Sequence, residues 1–223
     1  MTSSPRRARA IEILDRLAAE HPDARIALNY TTPLELLVAT ILSAQCTDVR
    51  VNLVTPELFR RFRAPADYIA VPAEELEELI RPTGFFRQKT RAIQEACRSI
   101  VAQFGGEVPP TLDELVTLHG VGRKTAAVVS SNAFGRRDGI AVDTHVGRVA
   151  RRLGLTKHTD PVKVERALMR LYPRERWLEV SDVFIFHGRR VCHARTPRCE
   201  VCAVNDLCPS SRVRWHEAGT VSV

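Results

Sequence analysis

Four cysteines near the end of the chain, Cys192, Cys199, Cys202 and Cys208, follow one another as C-x6-C-x2-C-x5-C. Thiols at this density call for one soft, multivalent partner, and the set suits either an iron–sulfur cluster or a structural zinc ion. Either would pin the C-terminal segment to the rest of the fold. Zinc knuckles usually pair two C-x2-C units, and only Cys199 and Cys202 form one here, so the spacing leans toward iron and sulfur without excluding zinc. A disulfide framework fits poorly with 223 residues, six cysteines and a start that shows no charged, apolar and small-residue leader pattern. Cys46 and Cys97 stand apart in apolar helical surroundings and are expected to be reduced core thiols.

The charge balance narrows the partners. A formal net charge of +7 and a pI near 9.4 favour polyanions. The excess is local: no acid lies between Asp182 and Glu200, while Arg189, Arg190, Arg195 and Arg198 accumulate there. Arg195 and Arg198 thus share a loop with the cysteines and are expected to reach phosphates. The hydrophobic content is 44%, with no apolar run long enough to cross a membrane. A cytoplasmic, nucleoid-associated protein without membrane contact is expected, and a monomer.

Apolar residues recur at helical spacing in one segment after another: Ile11, Leu14, Leu17 and Ala18; Leu34, Leu37, Val38 and Ile41; Leu76, Leu79 and Ile80; Val162, Leu168 and Leu171. No alternating strand pattern competes, so the expected class is all-α, with roughly ten short helices. Capping boxes begin at Thr32 and Thr111, and Asp160-Pro161 supplies an N-cap followed by proline at the first helical position. Asp48 reads as the cap of a further helix.

One motif stands out in the middle. Leu112 to His119 reads as a helix, Gly120-Val121-Gly122 as a tight turn, and Arg123 to Ala133 as the next helix, with Leu115, Leu118, Val121, Ala126 and Val129 as apolar contacts. Neither glycine is expected to leave room for a side chain. The amides of Gly120, Val121, Gly122 and Arg123 could then face one anion at a positive helix end, as a seat for a phosphate. Lys124 follows in the first helical turn, where the macrodipole disfavours a cation by about 0.3–1 kcal/mol. Taken alone it reads as a phosphate-contacting or solvated lysine. Asp143, between Val142 and Thr144, reads alone as an N-cap.

These segments carry a family resemblance. "LHGVGRKTAAVV" resembles the helix-hairpin-helix of DNA glycosylases, "AVDTHVGRVARRLG" is similar to the aspartate segment that follows it, and the four cysteines match the iron–sulfur loop of the endonuclease III family. "LLVATILSAQCTD" and "TGFFRQKTRAI" extend the likeness upstream, from about Pro33 to Cys208. The resemblance implies a two-lobed fold. Residues 28–137 would form a six-helix barrel containing the hairpin (about 112–133), and residues 1–27 with 138–223 a discontinuous cluster domain holding one 4Fe–4S cluster. It further implies a bifunctional enzyme that removes oxidised pyrimidines from double-stranded DNA and nicks the abasic site by β-elimination.

By the same resemblance, Lys124 is the nucleophile at C1′ and Asp143 the carboxylate that steadies oxocarbenium character and relays a proton. Gln45 would fill the space left by an extruded nucleotide, and Phe85 would wedge against the opposite strand, with Phe86 as the competing ring. His145 would orient Asp143 or support the DNA surface. Three positions depart from the family pattern: Phe85 stands where leucine is commoner, His119 where proline is usual, and Gly147 where a bulkier residue is usual. Two other functions fit parts of the pattern. An adenine-mismatch glycosylase shares the cluster but usually lacks the lysine, and a noncatalytic iron–sulfur damage-binding protein would need neither Lys124 nor Asp143.

Overall fold

The computed structural model describes residues 4–213. Among these the chain is helical, with eleven α-helices, three short 3-10 helices and no strand. It divides into two compact units: residues 26–138 form one, and residues up to 25 together with those from 139 onward form the other.

The continuous unit contains α2 (Pro33–Leu42), α3 (Asp48–Arg61), α4 (Pro65–Ala70), α5 (Ala73–Ile80), α6 (Phe86–Phe104), α7 (Leu112–Leu115) and α8 (Arg123–Phe134), introduced here ahead of α1. At the start of α2, Thr32 Oγ1 accepts from the Glu35 amide while the Glu35 carboxylate accepts from the Thr32 amide. This capping box satisfies donors the first turn leaves open. From Leu34 to Leu42 every residue except Glu35 is buried. A helix apolar on all sides belongs in the interior, and α3, α6 and α8 pack against it. Fully burying Leu36, Leu37 and Leu42 contributes roughly 1.5–3 kcal/mol each. The helix α6 is long and two-faced: Thr90, Ile93, Cys97 and Ile100 are buried along one stripe. Gln94 Nε2 on that stripe donates to the carbonyls of Tyr68 (3.1 Å) and Val71 (3.0 Å), which ties down α4.

The discontinuous unit joins α1 (Pro5–Glu20) to α9 (Thr144–Arg152), α10 (Pro161–Leu171) and α11 (Trp177–Arg190). Ala10, Ile13, Leu14 and Leu17 of α1 meet Val146, Val149 and Ala150 of α9, Val164 and Leu168 of α10, and Val180 and Phe184 of α11 in one core. Cys192, Cys202 and Cys208 pack against its edge. Arg9 reaches from α1 to the carbonyls of Leu153 and Leu207, so the first helix also holds the cysteine segment.

Three local expectations are corrected. The helix expected over 112–119 ends at Leu115. Beyond it the chain tightens into three-residue turns, with Thr117 N donating to Glu114 O, Leu118 N to Leu115 O and Val121 N to Leu118 O. Leu118 and Val121 stay in the core through these turns, at 2% and 5% exposure. Asp48 is the first helical residue and not the cap; Thr47 caps α3 by accepting from the Arg50 amide. The two hairpin glycines are not equivalent. Gly120 has φ of 74° and a Cβ there would stand 3.0 Å from Ala92 Cβ, whereas Gly122 is extended with φ of −78° and nothing within 4 Å of its Cβ direction.

Gly120→Ala is therefore expected to lose about 1–3 kcal/mol of stability, from left-handed strain and the Ala92 contact. Gly122→Ala should change stability by less than about 1 kcal/mol. Denaturant unfolding of both variants checks the asymmetry; equal losses would contradict it.

Candidate functional site

In the continuous unit, segments far apart in sequence meet around one recess. Gln45 follows the end of α2, Phe85 precedes α6, and Gly120 and Thr125 belong to the hairpin; all four line the same concavity with Gln88 and Lys89. Gln45 and Phe85 are the two described non-glycine residues with left-handed backbone, at φ of 51° and 48°. Such a conformation is costly for an L residue and persists where surrounding structure imposes it. Phe85 is 56% exposed, while Phe86 is half-buried between the guanidinium groups of Arg81 and Arg87, whose carbons lie 5.0 and 5.8 Å from its ring centre. Of the two rings, Phe85 is the one presented outward.

Gly122 is the N-cap of α8, and Arg123 and Lys124 occupy the first turn. With no side chain at Gly122, the amides of that turn are not screened by their own cap. Lys124 is exposed, as are Gly120, Gly122 and Arg123, whereas Val121 is buried beneath them as the hairpin's apolar anchor. His119 is exposed beside the hairpin.

In the discontinuous unit, Asp143 is the N-cap of α9. Its Oδ1 accepts from the amides of His145 (2.8 Å) and Val146 (2.9 Å). Both bonds fall on one oxygen, so the carboxylate is fixed in direction without both oxygens being used. The His145 ring does not supply that fixing. Its Nδ1 lies 3.1 Å from Arg148 Nη2, and its Cβ lies against Gly188 of α11, where an added methyl would approach to 2.9 Å. Burial lowers the basicity of this ring. Gly147 is buried, and a Cβ there would meet the Arg151 guanidinium at 3.4 Å, an ordinary contact.

The four cysteines line one cavity on the edge of the apolar core. All four are half-buried free thiols. Burial pushes Cys202 up to about 11 and raises Cys208, and neighbouring sulfurs add to both effects. Cys202 and Cys208 therefore resist ionisation unless a cationic group enters beside them, and four thiols lining one space fit a soft metal centre. Around them is a shell that sequence reasoning missed. Arg152 Nη1 donates to Cys192 Sγ (3.3 Å) and His193 O (2.6 Å), its Nη2 to Ala194 O (2.7 Å), and Arg148 Nε to Cys192 O (3.1 Å). On the other side, His187 Nε2 lies 3.6 Å from Cys202 Sγ and its Nδ1 lies 3.2 Å from His21 Nε2. Burial holds His187 neutral, lowering it to about 4. The arginine pair was visible in "VGRVARR", but its partners lie some 40 residues on, beyond any local pattern. Arg195 and Arg198 are exposed on the cysteine loop.

Comparison with known proteins places these features in a family. Residues 38–174 match the model of the HhH-GPD superfamily of base excision DNA repair proteins, and residues 192–208 match the iron–sulfur binding domain of endonuclease III. The chain is 54% identical over 204 residues to endonuclease III of Synechocystis sp., covering 92% of this chain and 93% of the relative. It is 40% identical over 202 residues to endonuclease III of Escherichia coli, covering 91% and 95%. Among solved structures, a non-covalent endonuclease III–DNA complex matches with a TM-score of 0.88 at 46% identity, over 97% of this chain and all of that one. A trapped endonuclease III–DNA covalent intermediate also matches at 0.88 and 46%. With both family models and full-length relatives in agreement, the chain belongs to the endonuclease III family of helix-hairpin-helix base excision repair proteins.

Proposed function

We propose that Lys124 is the nucleophile and Asp143 the assisting carboxylate through which this base excision repair DNA glycosylase and abasic-site lyase acts. The observation that carries the reading is the convergence of Gln45, Phe85 and the glycine hairpin on one recess, with Lys124 exposed in the adjoining first turn of α8. The substrate is double-stranded DNA with an oxidised pyrimidine or an abasic site. A covalent endonuclease III–DNA intermediate among the structural relatives is in keeping with an amine that bonds to sugar.

The chemistry follows from the side chains. The lone pair of the Lys124 amine forms a bond to C1′ as the bond from C1′ to the base breaks; the base leaves with that electron pair and takes up the proton the lysine nitrogen gives up, while Asp143 stabilises the positive charge that develops on the sugar. Ring opening leaves an imine between C1′ and the lysine. Loss of a C2′ proton and departure of the 3′-phosphate then complete the β-elimination and nick the strand. Extrusion of the damaged nucleotide costs a few kcal/mol, least where the lesion already stacks badly. Gln45 would occupy the vacated space, and the outward ring of Phe85 would hold the partner strand away. The amides at Gly120, Gly122 and Arg123 would hold a backbone phosphate over buried Val121. His145, fixed by Arg148, would support the DNA-facing end of α9.

The protein carries one 4Fe–4S cluster. We assign it to Cys192, Cys199, Cys202 and Cys208, which would hold it with Arg195 and Arg198 outward toward phosphates. Bound there, the cluster supplies a covalent staple among four thiolates. The continuous unit is assigned as the six-helix barrel and the discontinuous unit as the cluster domain. The protein is taken to act as a monomer near the nucleoid; among the described residues no helix is long and apolar enough to cross a membrane.

Borohydride trapping on abasic DNA should give a covalent adduct that Lys124→Gln abolishes; undiminished trapping in that variant would remove Lys124 as nucleophile. Asp143→Asn separates two roles, because asparagine caps helices as well as aspartate. Its thermal midpoint should match the parent while base release slows about 100-fold or more; unchanged base release would leave Asp143 as a cap alone. Native protein should contain iron and acid-labile sulfide, both reduced in Cys202→Ser. Arg152→Met should loosen the cluster, seen as faster loss of its visible absorbance to a chelator; loss at the parental rate would refute the arginine's grip.

A further inference from the structure

We propose that Lys89 is a positioning residue for nucleotide extrusion: its buried side chain clamps the turn carrying Gln45 to the turn carrying Phe85. The proposal rests on the reading above that Gln45 and Phe85 enter the duplex. Lys89 lies in α6 and is 4% exposed. Its Nζ donates to Leu42 O at 2.7 Å and to Thr83 O at 2.8 Å.

Both acceptors are helix ends. Leu42 is the last residue of α2, and Thr83 is the last residue of the 3-10 helix Arg81–Thr83. Carbonyls at such ends lack helical partners and carry the negative end of the dipole, which a cation satisfies. From each end the chain runs within three residues into a left-handed residue, Gln45 in one case and Phe85 in the other. The backbone of Lys89 acts on the same place, since its amide donates to Phe85 O at 3.1 Å and so closes the first turn of α6. One residue therefore binds both strained turns by main chain and side chain together.

A lysine is a poor choice for a buried position unless its donors are needed. Burial lowers its basicity, and both of these bonds end on neutral carbonyls. A methionine would fill similar volume without that penalty, but could not fix the separation of two helix ends. Lys89, Gln45 and Phe85 share the lining of the recess, so a shift between the turns would move the filling side chain relative to the wedge. Local rules broken at a cost, beside strained backbone, mark a geometry that function requires.

The test compares Lys89→Met with the parent at temperatures where circular dichroism shows both folded. The probe is a duplex with 2-aminopurine opposite an oxidised pyrimidine, read by stopped-flow fluorescence, alongside kcat on the same duplex. The expected result is at least a tenfold loss in kcat and in the unstacking signal. Borohydride trapping on a single-stranded abasic oligonucleotide, which needs no extrusion, should stay within about twofold. Undiminished duplex turnover and unstacking would overturn the proposal, and an equal fall on single and double strands would reduce Lys89 to a general stabilising role. If Lys89→Met does not fold, Lys89→Gln, with a shorter donor, carries the same comparison. Gln45→Ala and Phe85→Ala are measured in parallel. Unchanged unstacking in both would defeat the wedge reading itself, whereas loss in these two but not in the Lys89 variant would defeat only the clamp.

Discussion

The grip of α9 on the cysteine loop is the interaction around which the discontinuous unit is organised. Arg148 and Arg152 donate to Cys192 O, Cys192 Sγ, His193 O and Ala194 O. Those acceptors belong to a segment with no regular structure, whose carbonyls need partners from elsewhere. The same helix begins at Asp143, whose carboxylate caps it. At 1.5 Å per residue, nine helical residues make a rod of about 13 Å. A rod that short bends little, so whatever fixes the cysteine loop also fixes the direction of the Asp143 side chain. The cysteine loop and the capping carboxylate are in this way held by one short helix.

The continuous unit reaches the same end by other means. It has no metal centre among its assigned parts, and it defines its recess by helix ends. The N-terminus of α8 offers amides and Lys124, the C-terminus of α2 leads to Gln45, and the 3-10 turn leads to Phe85. Backbone strain at Gln45 and Phe85 must be held by the surroundings, and an interior helix as apolar as α2 makes a stiff support. Gly120 belongs to the same scheme: it turns the hairpin against Ala92 of α6, where any larger residue would collide. Gly122 has a different use. It is the extended N-cap of α8, with nothing within 4 Å of its Cβ direction, which leaves room for the close approach of a phosphate proposed above.

What could be read from the sequence was whatever is decided within a few residues. The capping boxes at Thr32 and Thr111 and the Asp160 cap follow from local spacing and formed as expected, while the stripes formed in part: Leu14, Leu17, Leu168 and Leu171 are buried, Ile11, Ala18 and Val162 half-buried, and α2 is buried on nearly all sides. Five apolar hairpin contacts, Leu115 to Val129, are all buried. Failures came where tertiary demands overruled local pattern. The helix before the hairpin stops after one turn and gives way to tighter turns, although Leu118 and Val121 keep a spacing that an α-helix would also bury. Lys89 looks like an ordinary surface lysine until Leu42, 47 residues earlier, is seen to accept from it. Arg148 and Arg152 likewise look like a solvated basic face. Long polar side chains are where a local reading is weakest, since their partners are set by topology and not by spacing.

The role proposed for Asp143 would join a chemical duty to the structural one it performs as the cap of α9. A free aspartate samples several rotamers, and ordering it at the moment of reaction would add to the barrier. As an N-cap it is already ordered by two amide bonds to Oδ1, at the cost of one oxygen's hydrogen-bonding capacity. The other oxygen keeps its direction because the carboxylate is planar and rigid. Electrostatic stabilisation of a transition state depends on charges placed beforehand, not on charges drawn into place. For the role proposed above, a cap is therefore a favourable site for the Asp143 carboxylate. Lys124 is placed differently: it is exposed in the first turn of α8. In the function proposed above, the carboxylate is thus ordered before substrate arrives, and the surroundings of the amine are completed by the bound duplex.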